Sequence, residues 1–179
     1  MRKLLNEELG RMDVNSYKQS SKHPFVLVLD NIRSLNNIGS AFRTGDAFRV
    51  EAIYLCGITA CPPHREIQKT ALGATQSVDW LYFDNTLKAV EKLKSDGYRI
   101  VAVEQADQST LLPDFEVRPN EKLALIFGNE VKGVEEEVVK LADEVVEIPQ
   151  FGTKHSLNIS VSIGVVLWDV YLKYKRLSQ

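Results

Sequence analysis

Six short apolar runs, separated by segments with helical features, constrain the fold of this chain more than any other feature. They are rich in Val, Ile, Leu and aromatic residues, and several lack alternation, which is typical of strands buried on both faces. The runs are Phe25–Leu29, Ala52–Cys56, Val78–Phe83, Arg99–Val103, Leu123–Phe127 and Glu144–Ile148. Strand and helix in alternation predict an α/β fold, a parallel six-stranded sheet flanked by helices. Ligands of such sheets bind at the carboxyl ends of the strands, so we expect the chemistry in the loops that follow them.

The segments around these runs set the expected helices and the expected division of the chain. Asn85–Lys94 and Val134–Ala142 have the periodicity or the flanking residues of helices. Residues 2–12 are expected to form a short helix, followed by a polar connector. We therefore expect residues 1–24 to be a helical extension with a connector and residues 25–179 to be a single domain.

The composition limits the classes of protein to which this chain can belong. Its 179 residues are 44% hydrophobic and 26% charged, which is ordinary for a globular domain. The net charge is −2, so any surface that binds nucleic acid must be a local basic patch. The amino terminus lacks the pattern of a signal peptide, and no stretch of 18 apolar residues is present. We therefore expect no membrane-spanning helix and a cytoplasmic location.

The two cysteines, Cys56 and Cys61, are too few for a disulfide framework and are expected to be free thiols. His64 follows Cys61 closely, so these two residues are candidate zinc ligands. A closed zinc site needs four ligands at recognisable spacing, and the sequence has no second Cys/His pair. We expect no metal.

The last segment, Asn158–Leu172, is apolar nearly all round and predicts a helix that is buried on most faces. Ser160 and Gly164 lie four residues apart, share a face and would admit close approach of another helix. Packing in the core is one explanation of this profile. Burial of part of the helix by a second subunit is the other.

The loop after the first run, Asn36–Arg43, has the features of a helix start. Asparagine is a good helix cap, and the free backbone amides of a first turn attract anions. Arg43 lies roughly opposite the middle of an apolar stripe of Ile38, Ala41, Phe42, Gly45 and Phe48. Periodicity alone favours a solvated surface arginine at this position, since most arginines on helices are exposed.

Two further loops follow the fifth and sixth runs. Phe127–Gly133 places Glu130 between two glycines, which suits either a tight turn or the close approach of a ligand. The spacing is not G-x-G-x-x-G, which counts against a nicotinamide or flavin enzyme. Ile148–Asn158 is a polar loop beside an apolar helix, so its Ser156 and Asn158 are helix caps or part of a pocket wall.

Together the three loops resemble the motifs of the SpoU/TrmH branch of the SPOUT RNA methyltransferases. The first motif, N-x-G-x-x-x-R, is matched by Asn37, Gly39 and Arg43. The second, a strand ending in G-x-E-x-x-G, is matched by Gly128, Glu130 and Gly133. The third is matched by Ile148, Pro149, Gly152, Ser156, Leu157 and Asn158. The three motifs occur in order, at strand ends and over nearly the whole chain, which makes the combination specific.

The resemblance implies a fold feature and a cofactor. The family sheet carries a deep C-terminal trefoil knot, an exception to the rule that chains do not thread loops. Residues 25–179 would then be a SPOUT methyltransferase domain. The knot loops of the family hold S-adenosylmethionine, largely through backbone groups. The cofactor-binding residues implied for this chain are Val103, Glu104, Gly128, Ile148 and Leu157.

The resemblance also implies a reaction, the transfer of a methyl group to a ribose 2′-hydroxyl of tRNA or rRNA by a homodimer. Arg43 would face the other subunit's cofactor, and would lower the pKa of the hydroxyl or hold the adjacent phosphate. It ranks first among the implied catalytic residues, which are Arg43, Asn37, Glu130, Ser156 and Asn158. The candidates for RNA contact are Arg33, Arg43, Lys154 and His155.

Two alternatives come from other classes of protein. A non-catalytic RNA-binding protein of the same fold would have the cofactor loops without a working arginine, and here Arg43 is present. A dehydrogenase would need the glycine fingerprint that this chain lacks. Titration with S-adenosylmethionine and with NAD would separate all three hypotheses.

Overall fold

The computed structural model describes residues 1–177 and contains a seven-stranded sheet. The strands are β1 His23–Asp30, β2 Val50–Cys56, β3 Trp80–Phe83, β4 Tyr98–Val103, β5 Thr110–Leu111, β6 Lys122–Phe127 and β7 Glu144–Glu147. Their order across the sheet is β3-β2-β1-β6-β4-β7-β5, and every neighbouring pair is parallel. The carboxyl ends of the strands therefore lie along one edge of the sheet, which is the expected place for a ligand.

Seven α-helices connect or flank these strands within residues 1–177. They are α1 Val14–Gln19, α2 Leu35–Ala47, α3 Arg65–Ala71, α4 Ala74–Ser77, α5 Thr86–Ser95, α6 Glu136–Leu141 and α7 Ile159–Leu177. Short 3-10 turns occur at Asn6–Leu9 and Leu112–Asp114. Within the described part of the chain, no helix has the length and apolar character that crossing a membrane requires.

The parallel sheet flanked by helices is confirmed, but the expected number of strands was wrong. All six predicted strands are present, and β5 is an additional seventh strand. Thr110–Leu111 is only two residues long and pairs with β7 at the edge of the sheet. A strand this short has no apolar run of its own, so pattern reading cannot detect it.

The amino-terminal segment differs from the expectation of one helix over residues 2–12. Only the 3-10 turn Asn6–Leu9 forms there, and it ends at Gly10, whose φ of 59° is left-handed. The first α-helix, α1, lies instead in the segment expected to be a connector. Asp13 starts it, because its carboxylate accepts a hydrogen bond from the Ser16 amide at 2.8 Å.

Two apolar cores pack on the sheet. Phe25, Leu27 and Leu29 of β1 belong to the core that includes residues of α2 and α7. Val26 and Val28, which point to the opposite face, belong to the core that includes residues of α5 and α6. The continuous apolar run Phe25–Leu29 within β1 thus reflects burial on both faces.

Helix α7 has one buried face and one apolar face that is exposed in the single chain. Its buried residues are Ile159, Ile163, Val166, Leu167 and Val170. Val161, Val165 and Trp168 lie at 50%, 40% and 55% exposure. Packing of the helix in the core is confirmed, whereas burial of its other face by a second subunit stays a prediction.

Candidate active site

A cleft of about 340 Å³ opens at the carboxyl ends of β4, β6 and β7. Strand ends supply one wall, and the loops after β6 and β7 supply the others. All five residues predicted to bind the cofactor line it, namely Val103, Glu104, Gly128, Ile148 and Leu157. Four of the predicted catalytic positions lie in or beside it, since Glu130, Ser156 and Asn158 line the cleft and Asn37 bonds to two of them.

A chain of hydrogen bonds joins the three sequence motifs. The Glu130 carboxylate accepts from the backbone amides of Arg33 at 3.1 Å and Ser34 at 3.0 Å. It also accepts from the Asn37 side-chain amide at 3.1 Å. The Asn37 oxygen in turn accepts from the Asn158 side-chain amide at 3.2 Å. The three loops are therefore held together by side chains from each motif.

Glu130 is an ionised hydrogen-bond acceptor in this arrangement. Burial alone would raise the pKa of its carboxyl, but the amides of Arg33 and Ser34 and the side chain of Asn37 hold the pKa below its ordinary value. A carboxylate with a lowered pKa is a weak proton acceptor. Glu130 therefore suits a role that positions the start of α2 better than the role of a general base.

Asn158 is both a helix cap and a member of the cleft wall. Its side-chain oxygen accepts from the Ser160 amide at 2.9 Å and from the Ser160 hydroxyl at 2.6 Å, at the start of α7. Its side-chain nitrogen is then left to donate to Asn37. The two interpretations of Asn158, cap and pocket wall, are thus both realised by one side chain.

The two glycines of the second motif bring the loop close to its own backbone. A Cβ atom on Gly128 would lie 2.1 Å from the backbone of Gly133 and Val134. Gly133 has a φ of 71°, and a Cβ atom there would lie 2.1 Å from a carboxylate oxygen of Glu104. That carboxylate accepts from the Val134 amide at 2.8 Å. These glycines are required by the tight turn, the first of the two possibilities that the sequence left open.

Arg43 is the one predicted catalytic residue that lies away from this cleft. It is exposed on α2 and lines a second cleft, together with the amino-terminal segment and α4. Within residues 1–177, its guanidinium takes part in no hydrogen bond or ion pair of the structure. A single chain therefore does not bring Arg43 together with Glu130, Ser156 and Asn158.

The other basic residues predicted to contact RNA are exposed around the first cleft. Lys154 and His155 lie in the loop between β7 and α7, next to Ser156 in the cleft wall. The Arg33 side chain is exposed just before α2, while its backbone amide donates to Glu130. These three residues are accessible to a large ligand.

Two polar residues that the sequence reasoning missed also shape the cleft. Asn129 donates to the Asn31 carbonyl at 2.7 Å and accepts from the Val131 amide at 2.9 Å. Asp30, fully buried at the end of β1, accepts from the Glu135 amide at 2.9 Å. Both hold the loop after β6. The signal that could have found them is their position directly after predicted strands, where polar residues gather in such sheets.

The residues considered for zinc have other roles. His64 caps α3, since its Nδ1 accepts from the Glu66 amide at 3.2 Å. Cys56 is buried at the end of β2, and both cysteines are free. Among residues 1–177, no three or more His, Cys, Asp or Glu side chains are arranged to hold a metal ion.

The arrangement of three polar loops around one cleft at the strand ends has a counterpart among known proteins. The family model of the SpoU rRNA Methylase family matches residues 24–168, which include all three motif loops. The chain belongs to the SpoU rRNA methylase family. The SpoU match begins just after α1, so the amino-terminal segment lies outside it.

A curated SpoU-type relative is the tRNA (guanosine(18)-2'-O)-methyltransferase of Borreliella burgdorferi. It is 31% identical over 153 residues, which cover 86% of this chain and 68% of that protein. The first curated relatives are matched over 58–68% of their own lengths. This SpoU chain thus spans about three fifths to two thirds of each of them.

Solved structures show the same fold. The TrmH/SpoU tRNA modifying enzyme of A. aeolicus superposes with a TM-score of 0.81 at 24% identity, over 92% of this chain and 82% of that one. An AdoMet-bound rRNA methyltransferase from Sinorhizobium meliloti superposes with a TM-score of 0.77 at 25% identity. That match covers 88% of this chain and 58% of the other.

Proposed function

We propose that this chain transfers a methyl group from S-adenosylmethionine to a ribose 2′-hydroxyl of tRNA or rRNA. The observation that carries the proposal is the meeting of the three SpoU motifs at one cleft, joined by Glu130, Asn37 and Asn158. The relative from Borreliella burgdorferi is named for 2′-O methylation of tRNA. The neighbour from Sinorhizobium meliloti is an rRNA methyltransferase with AdoMet bound.

The cleft residues fit an adenosyl cofactor. Val103, Ile148 and Leu157 offer apolar contacts for a base, while Gln105 and Ser156 offer polar groups for a ribose. When bound there, S-adenosylmethionine supplies an activated methyl group. The residues that would hold it are the five predicted from the motifs, and the backbone of the loops after β6 and β7 lies within reach of the same space.

The protein must align the ribose oxygen and assist the loss of its proton. Alignment lowers such barriers by about 7–11 kcal/mol, and assistance with the proton adds about 10²–10⁴-fold. Arginine is a poor proton acceptor, so Arg43 acts by its charge on the hydroxyl or by a forked contact with the adjacent phosphate. Glu130 and Asn37 position the loops, and Ser156 and Asn158 position the ribose.

We further propose that the active form is a homodimer and that the chain has the C-terminal trefoil knot of its family. Arg43 and the cleft lie apart in one chain, so a second subunit is needed to bring an Arg43 to each cleft. The exposed apolar residues Val161, Val165 and Trp168 of α7 supply a surface for that subunit. The Asn37–Asn158 bond, which ties the loop before α7 to α2, is compatible with the knot.

The homodimer is tested by introducing a charge on the exposed apolar face of helix α7. Val165→Glu and Trp168→Glu should weaken association, because each puts a charge into an apolar contact. Lys175→Glu, on an exposed polar position of the same helix, is the matched control. Light scattering at micromolar concentration measures the outcome. A wild-type chain that is a monomer under these conditions would contradict both the dimer and the shared site.

The domain division is part of the same proposal. Residues 25–179 would form the methyltransferase domain, and residues 1–24 the amino-terminal extension. The RNA-contacting residues would be Arg33, Arg43, Lys154 and His155, which are all exposed. We place the protein in the cytoplasm, where tRNA and rRNA are accessible to it.

Two measurements test the reaction. Calorimetry should detect binding of S-adenosylmethionine or S-adenosylhomocysteine, and NAD should give no heat. Labelled S-adenosylmethionine is then incubated with total RNA that lacks the modification, and the product nucleotide is identified by mass. Binding of RNA without methyl transfer would favour the non-catalytic alternative. No binding of either adenosyl ligand would overturn the proposal.

A further inference from the structure

The cleft that contains Arg43 is larger than the first one, at about 540 Å³, and is built from three parts of the chain. One wall is the amino-terminal segment from Leu9 to Tyr17, which precedes the part of the chain matched by the family. The other walls come from α2 and from the residues of α4. Its volume lies in the ordinary range of ligand sites, about 300–1,000 Å³.

The arginines that line this cleft lack protein partners in the described chain, whereas the aspartates that line it accept hydrogen bonds from the protein. Arg11, Arg43 and Arg49 all line it, and the guanidinium groups of these three residues make no hydrogen bond or ion pair within residues 1–177. The two acidic residues of the lining are occupied. Asp13 accepts from Ser16 at the start of α1, and Asp46 accepts from the Ser77 hydroxyl. The cleft therefore presents cationic donors with no protein partner.

Tyr17 supplies a second, independent sign of a missing partner. Its side chain lines the cleft and is only 5% exposed, and its hydroxyl has no hydrogen-bond partner in the described chain. Leaving a buried hydroxyl unpaired is unfavourable, because its lost hydration is not replaced by a hydrogen bond. Burial, reinforced by the nearby charge of Asp46, raises the pKa of Tyr17, so the group stays protonated and can donate.

A ligand with negatively charged oxygen atoms would provide hydrogen-bond acceptors both for the unpaired arginines and for the Tyr17 hydroxyl. A phosphodiester accepts forked hydrogen bonds from arginine, and it accepts a hydrogen bond from a phenol. We propose that this cleft binds the RNA backbone next to the methylated ribose, through Arg11, Arg49 and the Tyr17 hydroxyl. This inference rests on the proposed function, because Arg43 in the same cleft is the residue assigned to the reacting nucleotide. The amino-terminal segment would then contribute directly to binding of the RNA substrate.

The experiment compares single substitutions in the full chain. Arg11→Gln and Arg49→Gln remove a charge each, and Tyr17→Phe removes only the hydroxyl. Arg118→Gln and Tyr82→Phe, outside the cleft lining, are the matched controls. The probe is a fluorescent single-stranded RNA oligonucleotide of mixed sequence, and its binding is followed by anisotropy from low to physiological salt.

Each arginine substitution should weaken binding and lower the slope of log affinity against log salt by about 0.7, the value for one phosphate of a single strand. Tyr17→Phe should weaken binding about tenfold and leave the slope unchanged, since a hydrogen bond to a charged group is lost and no charge is removed. Both controls should bind as the wild type does. Binding of S-adenosylmethionine, measured by calorimetry, should be the same for all variants.

Three outcomes separate the possibilities. If the wild type methylates RNA and the three cleft variants match their controls in affinity and slope, the inference is overturned. If light scattering shows that the same variants lose association, the cleft is a contact between subunits, and the inference is again overturned. If the wild type methylates no RNA, the proposed function fails, whereas the slopes measured with the oligonucleotide still decide whether the cleft binds phosphate.

Discussion

At the scale of single residues, the site depends on which groups are already occupied. The Glu130 carboxylate is taken up by two backbone amides and one side-chain amide, whereas the Arg43 guanidinium makes no side-chain interaction in the described chain. Occupied groups position the loops, and unoccupied ones are available to substrate. This division predicts opposite phenotypes for the two residues, a loss of stability for one and a loss of turnover for the other.

Substitution of Glu130 should change stability in a pH-dependent way. The pKa of this carboxyl is lowered in the folded chain, so its contribution is present above the ordinary value of 4.5 and is lost as the pH falls through the folded value. Glu130→Gln should therefore be less stable than the wild type at pH 7, and the difference should shrink below pH 4.5. Denaturant unfolding between pH 7 and pH 3 measures this. Glu91→Gln, exposed on α5, is the control and should show no such difference.

Substitution of Arg43 should separate binding from chemistry. Arg43→Ala should lose turnover by about 100-fold or more while binding S-adenosylmethionine as before, because Arg43 does not line the first cleft. Arg43→Lys keeps the charge but loses the planar fork, and should restore little activity. Single-turnover methylation and calorimetry give the two readouts. A loss of cofactor affinity equal to the loss of turnover would contradict this assignment.

At the scale of elements, the first motif also determines how closely helices α2 and α3 pack. Gly39 lies where α2 meets α3, and a Cβ atom there would lie 2.1 Å from the Thr70 hydroxyl oxygen and 2.3 Å from the Ile67 carbonyl oxygen. The glycine of N-x-G-x-x-x-R is thus required by contact between helices. Both Asn37, which bonds to residues of the first cleft, and Arg43, which lines the second, depend on the position of α2. That position requires the close packing of α2 against α3.

Enlarging Gly39 should destabilise the protein. Gly39→Ala forces the contact between α2 and α3 apart and should cost about 1–3 kcal/mol, a fall in Tm of a few degrees for a chain of this size. Gly152→Ala, in the loop before α7, is the matched control, because no atom of the described chain lies within 4 Å of the added Cβ. It should be neutral or raise stability by about 0.4–1 kcal/mol, since alanine restricts the unfolded chain more than glycine does. Calorimetric melting of both variants checks this prediction.

The sequence predicted those elements that carry their own pattern. The six apolar runs appear as strands because burial on both faces requires apolar residues throughout. β5 could not be predicted, because Thr110–Leu111 is held by its pairing with β7. The first helix was misplaced for a similar reason. α1 depends on the cap at Asp13 and on burial of Tyr17, neither of which follows from periodicity over residues 2–12.

The candidate site likewise has some features that the sequence predicts and others that depend on tertiary contacts. The five residues predicted to bind the cofactor line one cleft because they lie at the carboxyl ends of strands, or in the loops after them, in one parallel sheet. The hydrogen bonds of Asn129 and Asp30 depend on the exact path of the loop after β6, and no spacing rule gives that path. The second cleft depends on how the amino-terminal segment lies against α2 and α4, which is a tertiary contact.

At the scale of the whole molecule, Arg43 does not line the first cleft, so we expect the proposed reaction to need two chains. A mixed dimer tests this directly. An Arg43→Ala subunit is combined with a Leu157→Trp subunit, whose bulky side chain fills the first cleft. If each site uses the Arg43 of its partner, both defects fall in one site, and the other site is intact.

Mixing the two inactive homodimers should then restore activity, up to about half of the wild-type value per heterodimer by two-fold symmetry. Methyl transfer to unmodified RNA is the readout, and subunit exchange is checked separately by mass. Mixing Arg43→Ala with itself in a differently tagged form is the control and should restore nothing. Confirmed exchange without any recovery would mean that Arg43 acts within its own chain or not at all.

The hydrogen-bond chain through Glu130, Asn37 and Asn158 also has a consequence for synthesis of the protein. Its bonds span 93 and 121 residues of sequence, so they are long-range contacts. Contacts of this range form late, because much chain entropy must be lost before they form. A nascent chain that has not yet emerged from the ribosome beyond Asn158 cannot join its first motif to its third. The three motif loops can therefore meet only after Asn158 has been synthesised and released, and a chain that terminates earlier lacks this connection.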